Sequence, residues 1–93
     1  MSASSERSET VVVLPADLHA RPAGQVSRLV ASFDADVELA TESRSARAGS
    51  VLAVMGLGAQ AGSTLTVRAH GPQAAEAVAA VSAALTSVDA TTH

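Results

Sequence analysis

The sequence contains no cysteine, no tryptophan and no tyrosine, and its one phenylalanine is Phe33. Without cysteine there is no disulfide, no thiolate nucleophile and none of the usual zinc-binding sets. That usage suits a cytoplasmic protein, the location expected here. The scarcity of aromatic rings excludes the base-stacking platforms of nucleic-acid binders. Net charge is −3. The basic residues form no cluster that could neutralise a phosphate backbone, so no nucleic-acid partner is expected. No apolar run has the length of a membrane span, and no membrane insertion is expected. The residue types supply no metal-binding pattern and no cofactor fingerprint, so neither a metal nor a cofactor is expected.

What is present is small. Apolar residues make up 47% of the 93, and most are Ala, Val and Leu. This length is one domain. A core of small side chains brings backbone layers close together. Residues 1–9 are polar and serine-rich, with no apolar segment of a signal peptide. They read as a disordered tail, followed by a domain over 10–88 and a frayed tail over 89–93.

Thr10-Val11-Val12-Val13-Leu14 is a β-branched run ending at Pro15, which reads as a mostly buried strand. From Pro22 onward, Val26, Leu29, Val30 and Phe33 fall on one face of a helix. Val37 and Leu39 alternate with Glu38 and Ala40, as in a half-buried strand. Thr41-Glu42-Ser43-Arg44 would turn the chain into a short strand, Ser45-Ala46-Arg47-Ala48, although no Asn-Gly or Asp-Gly is present. Ser50 is a suitable N-cap for a short helix from Val51 to about Gly56. Thr64-Leu65-Thr66-Val67-Arg68-Ala69 alternates strictly and is the clearest strand. His70-Gly71-Pro72 stops it, with His70 read as a loop residue and Pro72 opening the last helix. In that helix Ala74, Val78, Val81, Leu85 and Val88 form the buried stripe, and the remaining alanines supply helix propensity. The order β-α-β-β-α-β-α implies an α+β, two-layer sandwich with helices on one face of an antiparallel sheet.

Two stretches carry chemistry. In Leu18-His19-Ala20-Arg21-Pro22, the proline belongs in a helix's first turn, where its missing N–H leaves no bond unmade. His19 then sits at the cap, beside backbone N–H groups without intrahelical partners. Those donors favour negative charge, and Arg21 adds a fork suited to phosphate or carboxylate oxygens. The second stretch is the short helix. Val51, Leu52, Val54, Met55 and Leu57 are too many apolar residues for one face. The expected split buries Val54 and Leu57 and leaves Val51, Leu52 and Met55 outside as an interaction patch. A helix buried on all sides is the other arrangement the residues allow.

Leu18-His19-Ala20-Arg21-Pro22-Ala23 after a first strand, with Gly49-Ser50-Val51-Leu52-Ala53-Val54-Met55-Gly56-Leu57-Gly58 before the last strand, resembles the HPr family of histidine phosphocarrier proteins. These belong to the bacterial phosphoenolpyruvate-dependent sugar phosphotransferase system. The likeness runs from about Thr10 to about Val88. It implies an open-faced sandwich with strand order 1-4-2-3. It implies His19 as the phosphoryl acceptor and Arg21 as its attendant arginine. Ser50 matches a position modified by a regulatory kinase in some members. Ala20, Arg28, Val51, Leu52 and Met55 match the partner-contacting surface. The implied donor is enzyme I and the implied acceptors are the EIIA domains of sugar permeases, served by a monomeric carrier. Such a carrier is not a conventional enzyme, because its histidine is itself acceptor and donor. A regulatory HPr-like binding module, or an HPr-like component serving a dihydroxyacetone kinase phosphorelay, would carry the same motifs.

Departures from the family pattern are local. Asp17 stands where a small residue, often Gly, precedes the Leu-His pair, and its carboxylate would repel a phosphohistidine unless it points away or pairs with an arginine. Gly24 replaces a common Ala and should weaken the start of the helix by up to about 1 kcal/mol.

Overall fold

A computed structural model describes residues 6–86. Residues 1–5 of the expected 1–9 tail, Val88 of the expected stripe and the whole expected tail over 89–93 lie outside the described residues. Four strands and three helices follow the expected order: β1 Arg7–Val13, α1 Ala20–Val30, β2 Asp36–Ala40, β3 Ser45–Arg47, α2 Val51–Met55, β4 Thr64–His70 and α3 Ala74–Thr86. The strands form one sheet in the order β1-β4-β2-β3, with every neighbouring pair antiparallel. The helices cover one face, so the α+β open-faced sandwich is the observed fold.

The sheet is built on period-two patterning. In β4, Leu65, Val67 and Ala69 are buried, while Thr64, Arg68 and His70 are exposed. Val37 and Leu39 of β2 and Ala46 of β3 join them on the helix side. Helices contribute Val26 and Val30 from α1, Val54 from α2, and Val78, Val81 and Leu85 from α3. All buried side chains among the described residues are Ala, Val, Leu or the Pro22 ring of α1. Each fully buried leucine, Leu39 or Leu65, stabilises the fold by about 1.5–3 kcal/mol. Ala23, Ala74 and Ala77 have no exposed surface, which lets α1 and α3 approach closely. Ala77, which the sequence marks only as a helix former, is buried and joins the stripe.

Several expectations are corrected. The first strand begins at Arg7, so residues 7–9 belong to the sheet and not to a tail. It is not mostly buried. β1 lies at the sheet edge, and Val11 and Val13 are exposed on the open face. His70 is the last residue of β4, not a loop residue, and stands 3.4 Å from Asp36 across to β2. α3 begins at Ala74 because Gly71, Pro72 and Gln73 form a turn, in which Gly71 has φ of +125° and packs against Asp34 and Ala35. The open face carries a row across three strands, Glu9, Arg68 and Glu38, with Arg68 at 3.6 Å and 2.9 Å from the two carboxylates. These pairs are exposed and contribute little.

The β2–β3 hairpin turns without Gly. The Thr41 hydroxyl accepts from the N–H groups of Arg44 at 3.1 Å and Ser43 at 3.3 Å, and the Thr41 N–H donates to the Arg44 carbonyl at 2.8 Å. A side-chain acceptor replaces the special backbone that a two-residue turn demands.

Candidate functional site

The His19 segment is positioned from both sides. Leu18 is buried, and its N–H donates to the Ala59 carbonyl at 3.0 Å. On the other side, α1 begins. The His19 carbonyl accepts the first intrahelical bond, from the Ala23 N–H at 3.0 Å. His19 is therefore the N-cap, with an extended backbone, and its side chain makes no capping hydrogen bond. The ring is exposed and uncommitted. Capping serines or aspartates spend their side chain on the helix; this histidine does not.

The N–H groups of Ala20 and Arg21 precede the first intrahelical bond, and Pro22 has none to offer. The helix start thus offers two open backbone donors beside the ring, at the positive end of the α1 dipole. Ala20 and Arg21 are both exposed, and Arg21 has no ion pair among the described residues. Pro22 and Ala23 turn inward and anchor the first turn. Arg28 is exposed in the last turn of α1, two turns along from Arg21.

The second stretch packs beside the first. α1 and α2 are in contact, and the Ser27 hydroxyl donates to the Gly49 carbonyl at 2.8 Å, just before α2. Ser50 caps α2, its hydroxyl accepting from the Ala53 N–H at 3.2 Å. Val54 and Leu57 are buried, as expected. Leu52 is 80% exposed and Met55 38%. Val51 departs from the expected split: it is half-buried and packs against the core. A helix buried on all sides is excluded by Leu52.

Two anchors had no sequence signal. The Arg44 guanidinium donates to the Gly56 carbonyl at 2.8 Å, tying the β2–β3 hairpin to the end of α2. Asp17 accepts the Ala61 N–H at 2.9 Å. Its carboxylate is thereby tied to a turn, and no arginine pairs with it among the described residues. Each partner is a backbone group distant in sequence, which no local pattern marks.

Among the described residues no three His, Asp or Glu side chains are grouped as metal ligands, and no helix is long and apolar enough to cross a membrane.

Comparison with known proteins agrees with this geometry. Residues 6–87 match the family described as PTS HPr component phosphorylation site. A phosphocarrier protein HPr of Haloferax volcanii is 52% identical over 52 residues, a stretch covering 53% of this chain and 58% of that protein. The chain is also similar to the crystal structure of a phosphocarrier protein HPr from Bacillus anthracis, with TM-score 0.76 and 28% identity, over 88% of this chain and 98% of that one. The solution structure of Crh, the Bacillus subtilis catabolite repression HPr, superposes with TM-score 0.72 and 27% identity, over 87% and 96% of the two chains.

Proposed function

The chain belongs to the HPr family, and from that premise we propose that it is a phosphocarrier that accepts a phosphoryl group on His19. The observation that carries this reading is the exposed His19 ring, held at the cap of α1 without a capping bond. A neutral ring nitrogen attacks the phosphorus of a phosphorylated partner. The N–P bond forms as the bond from phosphorus to the donor's leaving group breaks. On hand-off, the acceptor's nucleophile bonds to phosphorus, and the N–P electron pair returns to the ring. Phosphoryl transfer of this kind needs mainly positioning and charge compensation. The Ala20 and Arg21 N–H groups and the Arg21 guanidinium supply the compensation from one side. The other side is left to the partner, so the charge is never enclosed and the group remains transferable.

The proposed donor is enzyme I, and the proposed acceptors are EIIA domains of sugar permeases, exchanged in the cytoplasm by a monomeric carrier. Both must approach the same ring. Leu52 and Met55, exposed on α2, with Val51 at their base, form an apolar docking face, and Arg28 extends it with a charge. A phosphoryl group on Ser50 would sit at the cap of this helix and impede docking by charge without unfolding the domain. Incubation with phosphoenolpyruvate and a matched enzyme I, followed by a chase into purified EIIA domains, tests the proposal. Label that enters the chain and moves on supports it; label that never leaves contradicts the carrier role.

A further inference from the structure

Asp17 stands two residues before His19, in a segment that must present the ring to partners. The segment faces the turn Gln60–Ser63, which the Ser63 N–H closes onto the Gln60 carbonyl at 2.9 Å. Gly62, with φ of +88°, takes the second central position, which favours glycine. Ala61 takes the first, and its N–H has no acceptor within such a turn. The Asp17 carboxylate fills that vacancy at 2.9 Å. Three backbone bonds lace the same two segments: Leu14 N–H to Ser63 O at 2.9 Å, Gly62 N–H to Leu14 O at 2.8 Å, and Leu18 N–H to Ala59 O at 3.0 Å. They hold Leu14 and Leu18. Between them Pro15, Ala16 and Asp17 make no other tie to the turn, so the Asp17 bond is the fastening for that span.

We infer that Asp17 is a positioning residue for phosphoryl transfer: its bond to the Ala61 N–H fixes the backbone that presents His19. The inference rests on the carrier reading above. Asp17 acts through the loop and does not touch the phosphoryl group. Its carboxylate is engaged by the turn. An orientation held before the partner arrives removes part of the ordering that transfer otherwise requires.

Two substitutions separate the bond from the charge. Asp17→Asn keeps an acceptor oxygen and removes the charge. Asp17→Ala removes both. We expect Asp17→Asn to stay within about twofold of the wild type in transfer from enzyme I, and Asp17→Ala to lower kcat about fivefold with KM unchanged, the scale of one hydrogen bond. Amide exchange at Leu18 should rise about fivefold in Asp17→Ala only, with the β4 amides unchanged. Equal behaviour of Asp17→Ala and the wild type in both measurements overturns the inference. So does an equal loss in the two variants, which would assign the effect to charge. A wild-type chain that takes no label overturns the carrier reading and with it the transfer role, while Leu18 exchange still reads the bond itself.

Discussion

Leu52 and Val54 stand two residues apart on the same five-residue helix, yet Leu52 is 80% exposed and Val54 fully buried. Their substitution should therefore read out different things. Leu52→Glu should leave stability within about 0.5 kcal/mol and slow phosphoryl uptake from enzyme I about tenfold. Val54→Ala should cost about 2 kcal/mol of stability. Thermal unfolding and initial rates of uptake on both variants check this. Equal destabilisation by the two would remove the docking role from Leu52.

The hydroxyl of Ser50 is engaged as the α2 cap. Ser50→Ala should cost about 1 kcal/mol. Ser50→Asp keeps a capping oxygen and adds charge, so its stability should stay close to that of the wild type while uptake from enzyme I falls about tenfold. Paired denaturation curves and uptake rates distinguish cap from charge. An aspartate variant as active as the wild type would argue against regulation at this position.

Gly24 lies inside α1, and a Cβ there would meet the Arg28 Nη1 at 3.8 Å, an ordinary contact. Gly24→Ala should stabilise the domain by up to about 1 kcal/mol, raising Tm by up to about 4–8 °C. Calorimetry checks it; a lower Tm would mean that the site has less room than its geometry indicates.

The parts legible in the sequence are those encoded locally. The alternation of β4, the cap at Ser50, and His19 ahead of Arg21 and Pro22 all depend on residues a few positions apart. The run Val11, Val12 and Val13 reads as mostly buried, whereas β1 is an edge strand whose Val11 and Val13 lie on the face no helix covers. The hairpin lacked a glycine signature because the Thr41 hydroxyl does that work. Asp17 and Ala61 are 44 positions apart, and Arg44 reaches a carbonyl at Gly56. Bonds from side chains to distant backbone leave no periodicity, so those anchors emerge only from the folded chain.

The central claim is that His19 itself carries the phosphoryl group. Its most direct measurement is incubation of the wild type and His19→Ala with labelled phosphoenolpyruvate and enzyme I, followed by mapping of an acid-labile, base-stable mark. The account predicts one such mark on His19 in the wild type and none in His19→Ala, with both chains equally folded. Full-yield labelling of His19→Ala would contradict it.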